Sequence, residues 1–189
     1  MERFRTAIRR HVTTLAALAA LWAHPLAAAA EGDRVDALFD QLQGAEGREA
    51  ARLAGQIRAE WSKSGSAAMD LLLRRGKEAI EADDFAKAIE HLTALTDHAP
   101  EFAEGWAARG LAFYRQGEYM LALADLERAL ALEPRHFGAL RGVGAVMQQL
   151  DRPELAWRAY QEVLALYPEN AQVREAMEPL EPEVLGRTL

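Results

Sequence analysis

The fold is decided by the stretch AEGWAARGLAFYRQGEYMLALADLERALALEPRH, residues 103–136. Its apolar residues follow the spacing of two amphipathic helices, which meet at Gly117 and end at Pro134. Small residues and helix-ending prolines recur with a period of 34: Gly76, Gly110 and Gly144, and Pro100, Pro134 and Pro168. A period of about 34 residues predicts helix–turn–helix units that bury their apolar faces by stacking on one another.

The chain divides into six segments around this period. They are a predicted cleavable signal peptide (1–30), a divergent helical hairpin (31–68), three repeats (69–102, 103–136 and 137–170), and a capping helix with a loose tail (171–189). The hairpin keeps the register of the repeats but lacks their glycine and proline. Terminal repeats of a stack are atypical because one face meets water, so we expect this hairpin to be the N-terminal cap.

The chain resembles the tetratricopeptide repeat (TPR) family over slightly more than half of its length. The residues that carry the resemblance in the central repeat are Trp106, Gly110, Phe113, Gly117, Tyr119, Ala122, Ala129 and Pro134. The resemblance implies an all-α fold: a right-handed α-solenoid of TPR helix-turn-helix repeats, with the first helix of each repeat lining a concave groove. The departures from the family pattern are Arg75 and Arg109 for leucine, Asp83 and Asp151 for the turn glycine, and Pro153 for the turn aromatic.

Three pairs of residues are predicted to meet between the two helices of a repeat: Gly110 with Ala122, Arg109 with Asp125, and Arg75 with His91. The first pair would let the helix axes approach to about 8–10 Å. We interpret the second as a structural ion pair, with ligand binding by Arg109 as the alternative. The third is expected to be weaker.

Residues 1–30 have the layout of an export signal. A basic start is followed by the apolar run Leu15–Ala23, by Pro25 and by small residues that end at Ala30. We expect cleavage after Ala30 and a periplasmic or secreted protein. A retained membrane anchor is the less favoured alternative, because Pro25 interrupts the run before the ~20 apolar residues that a membrane span needs.

Composition limits the classes of partner and chemistry. The chain has 189 residues, of which 50% are hydrophobic, and a formal net charge of −7. The predicted signal peptide carries four arginines and one glutamate, so the remaining residues carry −10. An acidic body does not favour nucleic acid as a partner, because phosphate binding needs clustered lysine and arginine. Since the sequence contains no cysteine, disulfides, thiol nucleophiles and thiolate metal sites are excluded.

Other candidate sites are weak. His91, Asp97 and His98 could share a helix face as metal ligands, but a solvated face is favoured because zinc needs three or four converging ligands. Gly142 and Gly144 lack the preceding strand and third glycine of a nucleotide loop, which favours a packing role. We therefore predict no catalytic, cofactor-binding or metal-binding residue and no cofactor.

The predicted partner-binding groove lies on the first helices of the repeats. Its residues are Leu73, Lys77, Ile80, Leu111, Tyr114, Arg141 and Gln148. Leu111 and Tyr114 would supply contact area, and Lys77 and Arg141 would orient backbone or acidic groups of another protein or peptide. Family members that hold chaperone C-termini use asparagines in these helices. The only asparagine in the sequence is Asn170, so that mode is not expected.

The sequence favours a periplasmic TPR scaffold or adaptor, not an enzyme, that holds a peptide or helix of another protein. After signal cleavage we expect no stable membrane anchor, and a monomer or a weakly self-associating protein. Two alternatives stay open: an accessory domain of an enzyme, and a structural protein that self-associates through its stacking faces.

Overall fold

The structure, a computed structural model, describes the backbone of residues 24–186 and the side chains of residues 34–184. No β-strand occurs in this range. Its helices are α1 (His24–Gln43), α2 (Gly47–Trp61), α3 (Ala67–Glu81), α4 (Phe85–His98), α5 (Ala103–Gln116), α6 (Tyr119–Leu132), α7 (Phe137–Gln149), α8 (Pro153–Leu166), α9 (Ala171–Met177) and α10 (Glu181–Leu185).

Helices α3 to α8 form the stack of three repeats. Helix α3 packs against α4, α5 against α6 and α7 against α8, and each pair contacts the next. The first helices α3, α5 and α7 also contact one another in series, so they form one continuous wall. The prediction of an all-α solenoid is confirmed.

The recurring glycine makes room for a large residue of the second helix. A Cβ atom on Gly110 would lie 3.0 Å from Cγ of Leu126 and 3.2 Å from the carbonyl oxygen of Ala122, so the predicted contact between Gly110 and Ala122 is confirmed. A Cβ on Gly144 would lie 2.3 Å from Cε1 of Tyr160. A Cβ on Gly144 would overlap with the ring of Tyr160, whereas a Cβ on Gly110 would make a tight contact, so the need for glycine is strict at Gly144.

The turn inside each repeat passes through a residue in the left-handed conformation. The angle φ is 55° at Asp83, 88° at Gly117 and 56° at Asp151. In each turn the next backbone N–H donates to the carbonyl five residues earlier, at 2.9 Å. Aspartate can replace the turn glycine because it is one of the few other residue types that tolerate this conformation.

The predicted ion pair between Arg109 and Asp125 is confirmed. Nε of Arg109 donates to Oδ2 of Asp125 at 2.7 Å, and its Nη2 donates to Oδ1 at 2.9 Å. The remaining guanidinium nitrogen donates to the hydroxyls of Thr93 and Thr96 on α4, and the guanidinium lies 4.9 Å from the ring centroid of Trp106. Both charged side chains are largely buried, and the hydrogen bonds from Arg109 to the two threonines join the second repeat to the first.

The hairpin α1–α2 is not placed as the sequence predicted. Its buried residues, including Phe39, Leu42 and Ile57, share one core with residues of the last repeat and of α9. The prediction of an N-terminal cap is therefore wrong, because the apolar face of the hairpin packs at the C-terminal end of the stack. The physical reason is an aromatic contact that only the last repeat offers. Phe137 begins α7 and contacts Phe39, whereas the equivalent position of the preceding repeat is Ala103, which is too small for such a contact.

Polar contacts fix the same arrangement. Arg135 donates to Oδ1 of Asp36 at 2.7 Å and lies over the ring of Phe39. The amide of Gln43, at the end of α1, donates to the carbonyl oxygen of Ala165 at 2.7 Å. The C-terminal half of α1 is thus held to the end of the second repeat and to the end of α8.

The C-terminal segment is more ordered than expected. Asn170 caps α9 through Oδ1, which accepts from the backbone N–H of Val173, and both residues are buried. The expectation of a loose tail from Leu180 onward is wrong for the described part, since Leu180 is only 7% exposed and α10 follows it. Residues 187–189 lie outside the described range.

Most of the predicted signal peptide lies outside the described residues. Of residues 1–30, only the backbone of 24–30 is described, as the first part of α1. Helix α1 thus begins at His24, earlier than the hairpin start expected at residue 31, and Pro25 occupies its first turn, where proline is tolerated. None of the helices within residues 24–186 combines the length and the hydrophobicity that crossing a membrane requires.

Candidate binding groove

A cavity of about 510 Å³ lies on the wall formed by the first helices of the repeats. Its floor is apolar and made largely of small residues, among them Ala107, Gly138 and Ala145. Arg58 and Trp61 of α2 close one side, and Gln172 of α9 closes another. The hairpin therefore completes the groove together with the repeats.

The structure divides the predicted groove residues into two groups. Lys77, Leu111, Tyr114 and Arg141 line the cavity, and their role in binding stays a prediction. Leu111 is 41% exposed, so its side chain is accessible to a bound segment.

The other predicted groove residues do not line the cavity. Leu73 and Ile80 belong to the buried core between α3, α4 and α5, because their side of α3 turns into the repeat. Gln148 is partly buried, and its side-chain amide oxygen accepts from the hydroxyl of Tyr160 at 2.5 Å. The assignments of Leu73 and Ile80 to the groove are corrected, and that of Gln148 stays a prediction.

Sequence reasoning missed a buried polar centre at one end of the cavity. Glu104 of α5 accepts from Nζ of Lys77 at 2.5 Å and is 2.8 Å from Nε2 of His136. The imidazole also caps α7, since its Nδ1 accepts from the backbone N–H of Ala139 at 3.0 Å. An accepting Nδ1 places the proton on Nε2, so a neutral His136 donates to Glu104. This centre connects all three repeats.

The environment of Glu104 favours its carboxylate. Burial alone would raise its pKa, but the hydrogen bond from His136 and the ammonium of Lys77 outweigh burial and hold the pKa below its ordinary value. The carboxylate therefore stabilises the fold through Lys77 and His136.

Trp61 connects the hairpin to this centre. Its ring is stacked on that of His136, with centroids 4.5 Å apart, and it also contacts the ring of Phe137 at 5.0 Å. Next to it, Nζ of Lys77 donates to the hydroxyl of Ser62 at 3.2 Å. This hydrogen bond connects the loop after α2 to the first repeat.

The arginines of the cavity differ in their partners. Arg115 forms an ion pair with Asp83 at 2.8 Å. Arg141 donates to the amide oxygen of Gln172, and burial followed by the nearby positive charge of Arg58 lowers its pKa. Neither Arg58 nor Arg141 forms an ion pair with a carboxylate of residues 34–184.

The remaining candidates have structural surroundings. Gly142 and Gly144 lie within α7 against Leu126 and Tyr160, which supports the packing interpretation. Arg75 and His91 line one cleft between α3 and α4, but no hydrogen bond joins their side chains. Within the described part of the chain, no three His, Asp or Glu side chains form a group that could hold a metal ion.

Comparison with known proteins agrees with this helical-repeat architecture. A tetratricopeptide repeat family model matches residues 73–135 and again residues 107–171. A TPR repeat-containing protein of Rhizobium etli is 33% identical over 154 residues, covering 81% of this chain and 76% of that protein. The chain belongs to the tetratricopeptide repeat family.

More distant proteins share the fold. Superkiller complex protein 3 of Homo sapiens is 29% identical over 111 residues, covering 58% of this chain and 7% of that protein. The first TPR domain of Spaghetti (RPAP3), solved bound to an HSP90 peptide, has a TM-score of 0.61 at 23% identity, covering 64% of this chain and 95% of that chain. A crystal structure of MamA has a TM-score of 0.57 at 19% identity, covering 74% and 85%.

Proposed function

We propose that this protein is a scaffold or adaptor that holds an extended segment of another protein in its concave groove. The observation that carries the proposal is the cavity itself, with an apolar floor and four cationic side chains in a chain of net charge −7. Local potential, more than net charge, guides a ligand to its site. The TPR domain bound to an HSP90 peptide, which shares this fold, supports a peptide as the ligand.

The apolar contact would come from Leu111 and Tyr114. Both lie on α5 at the centre of the wall, and Tyr114 is half-buried against Tyr119, with ring centroids 5.8 Å apart. A tyrosine held in this way offers contact area at a small cost in side-chain entropy.

Site-specific crosslinking tests the groove in living cells. A photoreactive residue at position 111 should give a discrete crosslinked partner. The matched control is position 155, where Leu155 is 46% exposed on α8 and does not line the cavity. The combined substitution Tyr114→Ala and Arg141→Glu should abolish the crosslink at 111 without changing the circular dichroism melt. Equal products from both positions would contradict the groove as the binding surface.

We further propose that the protein acts in the periplasm after removal of residues 1–30. The order of basic, apolar and small residues in the leader supports this proposal. The intact mass of the protein from a periplasmic fraction should correspond to a chain beginning at Glu31. A full-length chain in the cytoplasm would contradict it.

Self-association is the second candidate. Met120 and Leu121 of α6 are 66% and 50% exposed, which leaves an apolar patch outside the groove. Light scattering over a hundredfold range of concentration separates a monomeric adaptor from an assembling protein, because only the second gains mass with concentration.

A further inference from the structure

We propose that Arg58 and Arg141 together bind the carboxylate of an internal aspartate or glutamate side chain in the segment held by the groove. This inference rests on the proposed peptide-binding function and adds the chemistry of one position in the bound segment. It also gives the N-terminal hairpin, which supplies Arg58, a direct part in binding.

The charges around the cavity single out these two residues. Lys77 is neutralised by Glu104, and Arg115 by Asp83. Arg58 and Arg141 line the same two cavities, and neither has a carboxylate partner among residues 34–184. Two like charges that line one site repel each other until an anion lies between them.

The two guanidinium groups differ in how they are held, since Arg141 is partly buried and Arg58 is exposed. Arg141 donates to the side-chain amide of Gln172 on α9. Arg58 lies over the ring of Phe137, 5.8 Å from its centroid, and α2 is anchored through that aromatic cluster. Arg141 therefore loses little freedom when it accepts a carboxylate, and the geometry of a carboxylate matches the paired N–H groups of both guanidinium groups.

The position of the pair predicts a side-chain carboxylate in preference to a chain end. A second cavity of about 470 Å³ adjoins the first, and the two share Arg58, Gly138, Arg141 and Gln172 as lining residues. The arginines therefore lie at the junction of two cavities. A segment that passes through the junction occupies both cavities and places an internal residue between the arginines. A terminal carboxylate would leave one cavity unfilled.

Matched peptide libraries test this inference. The probes are acetylated and amidated nonapeptides with uncharged random residues around a fixed central glutamate, and the same library with glutamine at the centre. Peptides selected on the immobilised mature protein are compared by fluorescence anisotropy. A glutamate peptide should bind about tenfold or more tightly than its glutamine twin, as expected for a charge-assisted hydrogen-bonded pair.

Variants assign the preference to the two arginines. With Arg58→Gln or Arg141→Gln, the glutamate peptide and its glutamine counterpart should have nearly equal Kd values. Arg115→Gln is the matched control, because Arg115 lines the same cavity but is paired with Asp83, and it should keep the preference. Arg58 is exposed and forms no side-chain hydrogen bond in the described structure, so its variant should keep the parent circular dichroism melt.

The outcomes separate this inference from the proposed function. If the wild-type protein binds glutamate and glutamine peptides equally, the carboxylate site is wrong while the peptide groove stands. Binding of neither library overturns both. Retention of the preference in Arg58→Gln, or tighter binding of five-residue peptides that end in a free carboxylate at the same position, overturns the assignment made here.

Discussion

The indole ring of Trp61 lies parallel to the imidazole of His136, with an interplanar angle of 12° and centroids 4.5 Å apart. This contact joins the hairpin to the N-cap residue of α7, the first helix of the third repeat. Because His136 also caps α7 and contacts Glu104, the position of the hairpin depends on the same side chain as the packing of the repeats.

Replacing Trp61 should therefore separate the hairpin from the stack. Trp61→Ala removes the contacts with His136 and Phe137, and we expect a loss of about 2–4 kcal/mol in the free energy of unfolding. Trp61→Phe keeps a stacked ring and is the control. Urea denaturation measures both, and an unchanged midpoint for Trp61→Ala would refute the role of this contact.

Gly144 should be required for stability, because it faces the rigid ring of Tyr160 where α7 crosses α8. Gly144→Ala places a methyl group against the ring of Tyr160, and we expect a loss of about 1–3 kcal/mol from overpacking. The control is Gly55→Ala, also within a helix, where the nearest atom to the new Cβ is 4.0 Å away. That substitution should stabilise the protein by roughly 0.5–1 kcal/mol. Thermal melting compares them, and equal shifts would argue against the packing described here.

Breaking the buried ion pair should cost far more than breaking an exposed one. Asp125→Ala leaves the guanidinium of Arg109 buried with only two threonine hydroxyls, for a loss of about 3 kcal/mol. Glu101→Ala removes the exposed pair with Arg128 and should change stability by less than about 1 kcal/mol. The comparison uses chemical denaturation; similar losses for the two variants would mean that Arg109 is solvated.

The carboxylate of Glu104 should make stability depend on pH. Its pKa in the folded protein lies below the ordinary value of 4.5, so its contribution is fully present above pH 4.5 and is lost as the pH falls through the folded-state pKa. Glu104→Gln should therefore be most destabilised relative to wild type near neutral pH, with the difference shrinking below pH 4.5. Denaturation curves at a series of pH values measure this, and a constant difference would contradict it.

The parts of the fold that repeat could be predicted because their contacts are close in sequence. Gly110 and Ala122, or Arg109 and Asp125, lie within one repeat, and each repeat shows the register of the others. The hairpin could not be placed in this way, since the first two repeats separate it in sequence from Phe137, which it contacts. The 34-residue period does not indicate which end of the stack the aromatic face of the hairpin contacts.

The candidate site was predictable to the same extent. Lys77 and Arg141 follow from the register of the first helices, but Leu73 and Ile80 lie on the adjacent, buried side of α3, and helical spacing alone did not separate groove from core. Arg58 was missed because the hairpin was expected at the opposite end. A signal for its placement does exist in the sequence: Phe137 is a bulky aromatic where the preceding repeat has Ala103.

The attachment of Gln43 to the carbonyl of Ala165, 122 residues later, sets an order of events during biosynthesis. The α1–α2 hairpin leaves the ribosome early, yet the surface that it covers exists only once α7–α9 have been made. Stacked repeats can propagate from neighbour to neighbour, whereas closing this long loop must wait for the complete chain. Helices α1 and α2 thus find their native neighbours only after α7–α9 have been made, and until then their aromatic face stays uncovered.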